Sequence, residues 1–171
     1  MDGGSTDQTV ENLKKYGEKI KWKSEKDNGQ ADTLNKGIKM AAGEIIGWLN
    51  SDDTYEPGSI KKSVETFLKF PETVSVYGHG YLMNRAGKDK KPVIVNKISY
   101  QKLSKTNKLL QPSVFFKKEA LEQIDYLDDH LQNVMDFELW VRFFKRYENK
   151  SKYFSEYLSN CGGSTVIPKP A

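Results

Sequence analysis

The stretch GEIIGWLN, residues 43–50, constrains the fold more than any other. Ile45, Ile46, Trp48 and Leu49 form the most continuous apolar run in the first half of the chain. A run of this length bounded by Gly43 and polar Asn50 reads as a buried parallel strand. Helical patterns flank it. Upstream, Gln30 to Ala42 places Ala31, Leu34, Ile38 and Ala41 on one face, and Gly43 closes it. Downstream, Pro57 stands just inside a helix that runs to about Phe70. Earlier still, Val10, Leu13 and Tyr16 set a helix over Thr6 to Tyr16, and Ile20 to Ser24 makes a short strand. Helix, strand, helix, strand, helix is a doubly wound α/β layout. The opening MDGGSTDQT is a turn feeding a helix, with Asp2-Gly3-Gly4 as the turn and Ser5 or Thr6 as the cap. A strand normally delivers such a turn, and here Met1 leads directly into it.

The second half reads as strands at Val74 to Tyr81 and Lys91 to Lys97, joined by the turn Arg85-Ala86-Gly87-Lys88. A short helix over Tyr100 to Lys105, a strand at Ser113 to Phe116 and a helix over Lys118 to Ile124 follow. A stronger helix covers Met135 to Tyr147, with Phe137, Leu139, Trp140, Phe143 and Phe144 as its apolar residues. Lys152 to Leu158 is the last strand. Residues 161–171 read as a loosely ordered Gly and Pro tail. At 171 residues the whole is one domain with material for a core.

Lys and Arg number 27 against 23 Asp and Glu, and the basic residues are scattered, so no basic stripe interleaved with aromatics argues for nucleic acid. The lone cysteine, Cys161, rules out an internal disulfide framework and reads as an ordinary small residue. No segment approaches the roughly 20 apolar residues of a bilayer span. These features predict a cytoplasmic protein.

Three stretches carry candidate chemistry. In WLNSDDTYEPGS, Asp52 and Asp53 follow the buried strand at once, at the strand end where ligands collect in open α/β sheets. Two adjacent carboxylates repel one another and resist desolvation, so a cation is their natural companion. Oxygen donors with open coordination positions suit Mg²⁺ or Mn²⁺ shared with phosphates. Capping of the next helix is an equal alternative. In DNGQADTLNKG, Gln30, Ala31 and Asp32 open a helix whose free N–H groups face the same sheet end. Asp32 either serves a ligand or complements the helix dipole, and the dipole reading leads. In MDFELWVRFF, Asp136 stands in the first helical turn, either as a general base or as a helix-start residue, and again the structural reading leads.

In order, DGGSTDQT, DNGQADTLNKGI, GEIIGWLNSDD, QPSVFFKKEAL and MDFELWVRFFK resemble glycosyltransferase family 2, the nucleotide-sugar-dependent transferases of GT-A type fold. The likeness runs from Asp2 to about Leu158. It implies a Rossmann-like, three-layer α/β/α domain over residues 1–160 with a mostly parallel sheet. The nucleotide-binding half would be 1–56 and the acceptor and catalytic half 57–160. Relatives begin with strand, helix and strand ahead of the DGS turn, so the chain looks N-terminally truncated by about 30–40 residues, one crossover unit.

The resemblance also implies roles. Asp2 would accept a hydrogen bond from a uridine or similar base, with Asp32 beside the same nucleoside and Gln30 among the residues that bind the nucleotide-sugar. Ser51-Asp52-Asp53 matches the DXD-type motif, Asp52 toward the ribose and Asp53 on the Mg²⁺ or Mn²⁺ that bridges the diphosphate. Gln111 would line the sugar or acceptor side, and Asp136 would be the catalytic base of an inverting transfer. The implied function is sugar transfer to a hydroxyl acceptor (saccharide, lipid-linked or protein) in polysaccharide or glycoconjugate synthesis. Cell-envelope polysaccharide is the commonest such role. Work at the inner membrane face as a peripheral protein, and a homo-oligomer covering the open sheet edge, are further expectations. The alternative is a non-catalytic remnant that binds metal or nucleotide weakly or serves as a subunit. A metal-dependent nucleotidyltransferase is disfavoured because no glycine-rich, basic phosphate signature is present.

Overall fold

The computed structural model describes residues 1–84, 86–131 and 133–162. They divide into two compact units, Met1–Ala42 with Asp125–Leu139, and Gly43–Ile124 with the chain from Trp140 onward.

In the first unit the opening turn is organised by its own acid. Asp2 Oδ2 accepts from Gly4 N and Ser5 N at 3.1 Å and from Ser24 Oγ at 2.6 Å, and Oδ1 accepts from Ser5 Oγ. The expected strand Ile20 to Ser24 contracts to a single parallel bridge between Asp2 and Ser24. The reason is that only Asp2 runs alongside it before Gly4, at φ +91°, turns the chain away. Ser5 is thereby committed to Asp2, the N-cap position falls to Gln8, which makes no side-chain cap bond, and Asp7 just before it accepts from Thr9 N at 2.9 Å through Oδ1. Helix α1 accordingly starts later than expected and spans Thr9–Lys14. A 3₁₀ turn at Gly17–Lys19 follows.

Helix α2 spans Gln30–Met40 and buries Ala31 and Ile38. Asn35 pairs its whole amide with Leu127, donating to the carbonyl at 2.9 Å and accepting from the N–H at 3.0 Å. The segment held this way begins with two consecutive left-handed residues, Asp125 at φ 63° and Tyr126 at φ 58°. Such backbone is costly away from glycine and persists where side-chain bonds fix it.

The second unit holds a sheet built from six described strands. They are β1 (Ile45–Gly47), β2 (Thr54–Tyr55), β3 (Ser75–Leu82), β4 (Lys91–Val93), β5 (Val114–Lys117) and β6 (Ser151–Cys161). The order is β1-β5-β3-β6-β2, with β4 also on β3. β3 and β6 run parallel over most of their length, whereas β1/β5, β3/β5, β2/β6 and β3/β4 are antiparallel. The sheet is therefore mixed, and the expectation of a mostly parallel sheet is corrected. β1 shows why the sequence misled: its apolar run alternates, with Ile46 and Trp48 buried but Gly47 and Leu49 exposed. A strand covered on one face tolerates antiparallel pairing, and run length alone does not disclose a partner's direction. Strand β4 stops at Val93 instead of Lys97 for a local reason. Beyond it, Val95 N donates to His79 Nδ1 and Ile98 N to the Tyr77 hydroxyl, both at 3.0 Å, so side chains replace the ladder.

Helices cover both faces. Helix α3 (Ser59–Lys69) sets Phe67 into a cluster with Val76, Phe115 and Leu158. Burying that phenyl ring is worth roughly 1.5–3 kcal/mol. On the opposite face helix α6 (Met135–Tyr147) packs Trp140 and Phe143 on Phe116 and Phe144 on Tyr77, with ring centroids 5.6–6.0 Å apart. This helix has the bounds its apolar spacing predicts. Short helices α4 (Tyr100–Leu103) and α5 (Lys118–Glu122) flank β5 in sequence, giving the three-layer α/β/α arrangement. Cys161 and Gly162 are buried at the end of β6, so the expected tail does not begin at 161. Residues 163–171 of that tail, and Arg85 of the expected turn, lie outside the described residues.

Candidate functional site

The acidic loop follows β1 and closes at β2. Asp53 N donates to Asn50 O at 3.1 Å, which folds Asn50 to Asp53 into a turn. Asp52 is exposed at its tip, whereas Asp53 is only 6% exposed. Burying a carboxylate requires hydrogen-bond donors, and two are supplied. Asn50 Nδ2 donates to Asp53 Oδ2 at 3.1 Å, and Gly162 N, at the end of β6, donates to Oδ1 at 2.9 Å. Gly162 also abuts Asp52: a Cβ at this position would stand 2.5 Å from the Asp52 carbonyl oxygen. Only glycine lets the strand end approach the loop so closely.

Asn50 is held in turn. Its Oδ1 accepts from the Trp48 indole N–H at 3.0 Å, and its Nδ2 also donates to Gln111 Oε1 at 2.9 Å. Gln111, in a 3₁₀ turn before β5, returns a bond from Nε2 to the Trp48 carbonyl at 2.5 Å. Trp48, Asn50, Gln111 and Asp53 thus form a closed polar network. Beside it, the Tyr55 hydroxyl is buried with no partner among the described residues. Burial, and then the negative charge of Asp53, push its pKa up to about 12.

The two hydrogen bonds to Asp53 use two of about four carboxylate lone-pair positions. The remainder fit a hard divalent cation. Among the described residues, three His, Cys, Asp or Glu side chains gather at one point only at exposed Asp128, Asp129 and His130. An ion at Asp53 would therefore take most of its ligands from substrate and water, which is how Mg²⁺ is usually bound.

The other predicted residues lie in the first unit. The Asp2 carboxyl is lowered to about 2, first by the Ser24 hydroxyl and then by the Ser5 hydroxyl. Asp32 accepts from Asn28 N at 3.0 Å and pairs with Lys36 at 2.9 Å, and these contacts lower its pKa, the Asn28 N–H foremost. Gln30 opens α2 and is exposed, and Asp136 is half-buried in the first turn of α6. Asp27 went unnoticed in the sequence. It accepts from Gly29 N and from the Thr33 hydroxyl at the start of α2, and a Cβ on Gly3 would run into its carboxylate. Asp27 thereby joins the Asp2 turn to the helix that carries Gln30 and Asp32. Asn50 and Gly162 were missed as well. Asn50 lay inside the quoted motif, but nothing local marks Gly162.

Residues 1–131 match the family described as Glycosyl transferase family 2. The chain is 26% identical over 159 residues to the uncharacterized glycosyltransferase RP339 of Rickettsia prowazekii, covering 85% of this chain and 48% of that protein. It is 27% identical over 176 residues to the hyaluronan synthase of Pasteurella multocida, covering 97% of this chain and 18% of that one. Among solved structures it resembles S. aureus TarS 1-349 in complex with UDP, with TM-score 0.70, 18% identity, and 94% of this chain and 49% of that chain covered. It also resembles the mannosyltransferase PcManGT from Pyrobaculum calidifontis in complex with GDP-Man and Mn²⁺, with TM-score 0.65, 18% identity, and 98% and 47% covered. The likeness shows a GT-A type fold. The chain spans about half of RP339 and less of the hyaluronan synthase.

Proposed function

The chain belongs to glycosyltransferase family 2, and on that footing we propose that it transfers a sugar from a nucleotide-diphosphate sugar, UDP-linked, to a hydroxyl acceptor with inversion. The observation that carries the reading is Asp53, a buried carboxylate oriented by two N–H donors with coordination positions to spare. Asp53 would hold Mg²⁺ or Mn²⁺, and Asp52 would meet the ribose. Asp2 and Asp32 would serve the nucleoside, and Gln30 would bind the nucleotide-sugar. The hydrogen bonds that already occupy Asp2 and Asp32 fix the orientation of their carboxylates. When bound, the cation neutralises the charge that grows on the departing diphosphate.

Asp136 would take the proton of the acceptor hydroxyl as that oxygen bonds to the anomeric carbon and the bond to the diphosphate oxygen breaks. Attack from the face opposite the leaving group gives inversion. Polysaccharide or glycoconjugate synthesis is the role we assign, supported by the likeness to a hyaluronan synthase.

Calorimetry of the folded chain with UDP, with and without Mn²⁺, tests the donor site. Micromolar, metal-dependent binding is expected. Folded protein that binds neither would overturn the reading in favour of a non-catalytic subunit. For the base, Asp136→Asn is expected to keep donor binding and lose transfer, and unchanged turnover would remove Asp136 from the mechanism.

A further inference from the structure

We propose that Gln111 and Asn50 are positioning residues for the Asp53 carboxylate, with Gln111 acting through Asn50 and not through contact with the sugar. The inference rests on the proposed reading of Asp53 as the metal ligand. Three observations carry it.

First, the Gln111 amide is engaged at both ends, Nε2 on the Trp48 carbonyl and Oε1 on Asn50 Nδ2. Second, Asn50 has one N–H for each of two acceptors, Gln111 Oε1 at 2.9 Å and Asp53 Oδ2 at 3.1 Å, while its own oxygen receives the Trp48 indole N–H. The Asn50 amide therefore cannot rotate without breaking contacts on three sides. Third, Asp53 N is bonded to the Asn50 carbonyl, so the acid and its side-chain donor are locked into one turn. A carboxylate held in this way presents its open lone pairs in one direction. Groups that orient metal ligands are typically worth 10–100-fold in metal affinity.

Gln111 reaches the turn from the 3₁₀ segment just before β5, and β5 pairs with both β1 and β3. The position of the acid is thereby tied to the centre of the sheet. A loop so fixed does not have to be ordered when the ion arrives, which is the advantage of preorganisation.

The test uses Gln111→Met, close in volume but unable to hold Asn50, and Asp53→Asn, each probed with Mn²⁺ plus UDP and with UDP-sugar by calorimetry and electron paramagnetic resonance. The expected result is a fall of about 10-fold or more in Mn²⁺·UDP affinity for Gln111→Met, with metal-free UDP binding unchanged. Unchanged Mn²⁺·UDP affinity with a loss confined to the UDP-sugar would overturn the proposal and return Gln111 to the sugar. If Asp53→Asn binds Mn²⁺·UDP as the parent does, the reading of Asp53 fails, and this inference with it. A folding defect in Gln111→Met is met by a measurement on the unaltered chain. The indole N–H resonance of Trp48 is expected to shift on adding Mg²⁺ and UDP but not UDP alone, and the absence of that shift would equally overturn the relay.

Discussion

Asp53→Asn, nearly isosteric, isolates what the two carboxylate oxygens do in the folded chain. Both accept N–H donors, one from Asn50 and one from Gly162. Asparagine keeps a single acceptor oxygen. Whichever way its amide turns, its own NH₂ faces one of these donors, and a buried N–H is left without an acceptor. That penalty is about 1–3 kcal/mol. For a chain of 171 residues, each kcal/mol moves the midpoint about 2–4 °C, so Tm should fall by roughly 2–12 °C. Calorimetric melting of the metal-free protein measures this without reference to activity. Removing the charge should also lower the pKa of the Tyr55 phenol, because Asp53 is the second cause of its elevation. Burial, the larger cause, remains, so the value should stay above that of an exposed tyrosine. Phenolate absorbance, with Tyr55→Phe as the blank, reads that shift. A Tm within about 1 °C of the parent, together with an unmoved Tyr55 titration, would refute the two-donor account of Asp53.

Tyr55→Phe should leave stability unchanged or raise it by up to about 1 kcal/mol in urea unfolding, since the hydroxyl it removes is buried without a partner. Gly47→Ala should cost about 1–3 kcal/mol, because its Cβ would stand 2.4 Å from that same hydroxyl and 3.0 Å from Phe115, and Tyr55→Phe in the same chain should recover part of the loss. Asn35→Ala should cost about 1–3 kcal/mol by leaving both Leu127 backbone groups unpaired, and hydrogen exchange should rise at Leu127 first. The Asp2 carboxyl is lowered from its ordinary 3.8 to about 2, so its contribution to stability is full above the ordinary value and is lost as pH falls through about 2. Ser24→Ala removes the main cause and should raise the Asp2 pKa, read by carboxyl NMR, moving the acid loss to higher pH.

What was legible in the sequence follows from the range of the forces involved. Helix α6 was fixed by spacing within one segment, since Leu139, Trp140, Phe143 and Phe144 are all buried and recur at helical intervals. The acidic loop was legible because a strand end and two carboxylates are neighbours in the chain. Strand direction was not, because β1 finds its partner β5 some 70 residues later, at Ile45↔Lys117 to Gly47↔Phe115. The same limit hid the Gly162 donor to Asp53. Ser5 shows a subtler failure. The sequence offers it as a helix cap, but its hydroxyl donates to Asp2 Oδ1 instead, while Ser24 donates to the other oxygen of the same carboxylate.

The bond from Gly162 to Asp53 spans 109 positions, and this gives the site a place in time. During synthesis the acidic loop leaves the ribosome well before the backbone amide that completes it, by about 5–20 s at ordinary elongation rates. Until β6 has paired with β3 and β2, Asp53 lacks one of its two donors and has water in its place. A nascent chain therefore carries the motif without its geometry. Burial of Asp53 marks the moment at which the last described strand has joined the sheet.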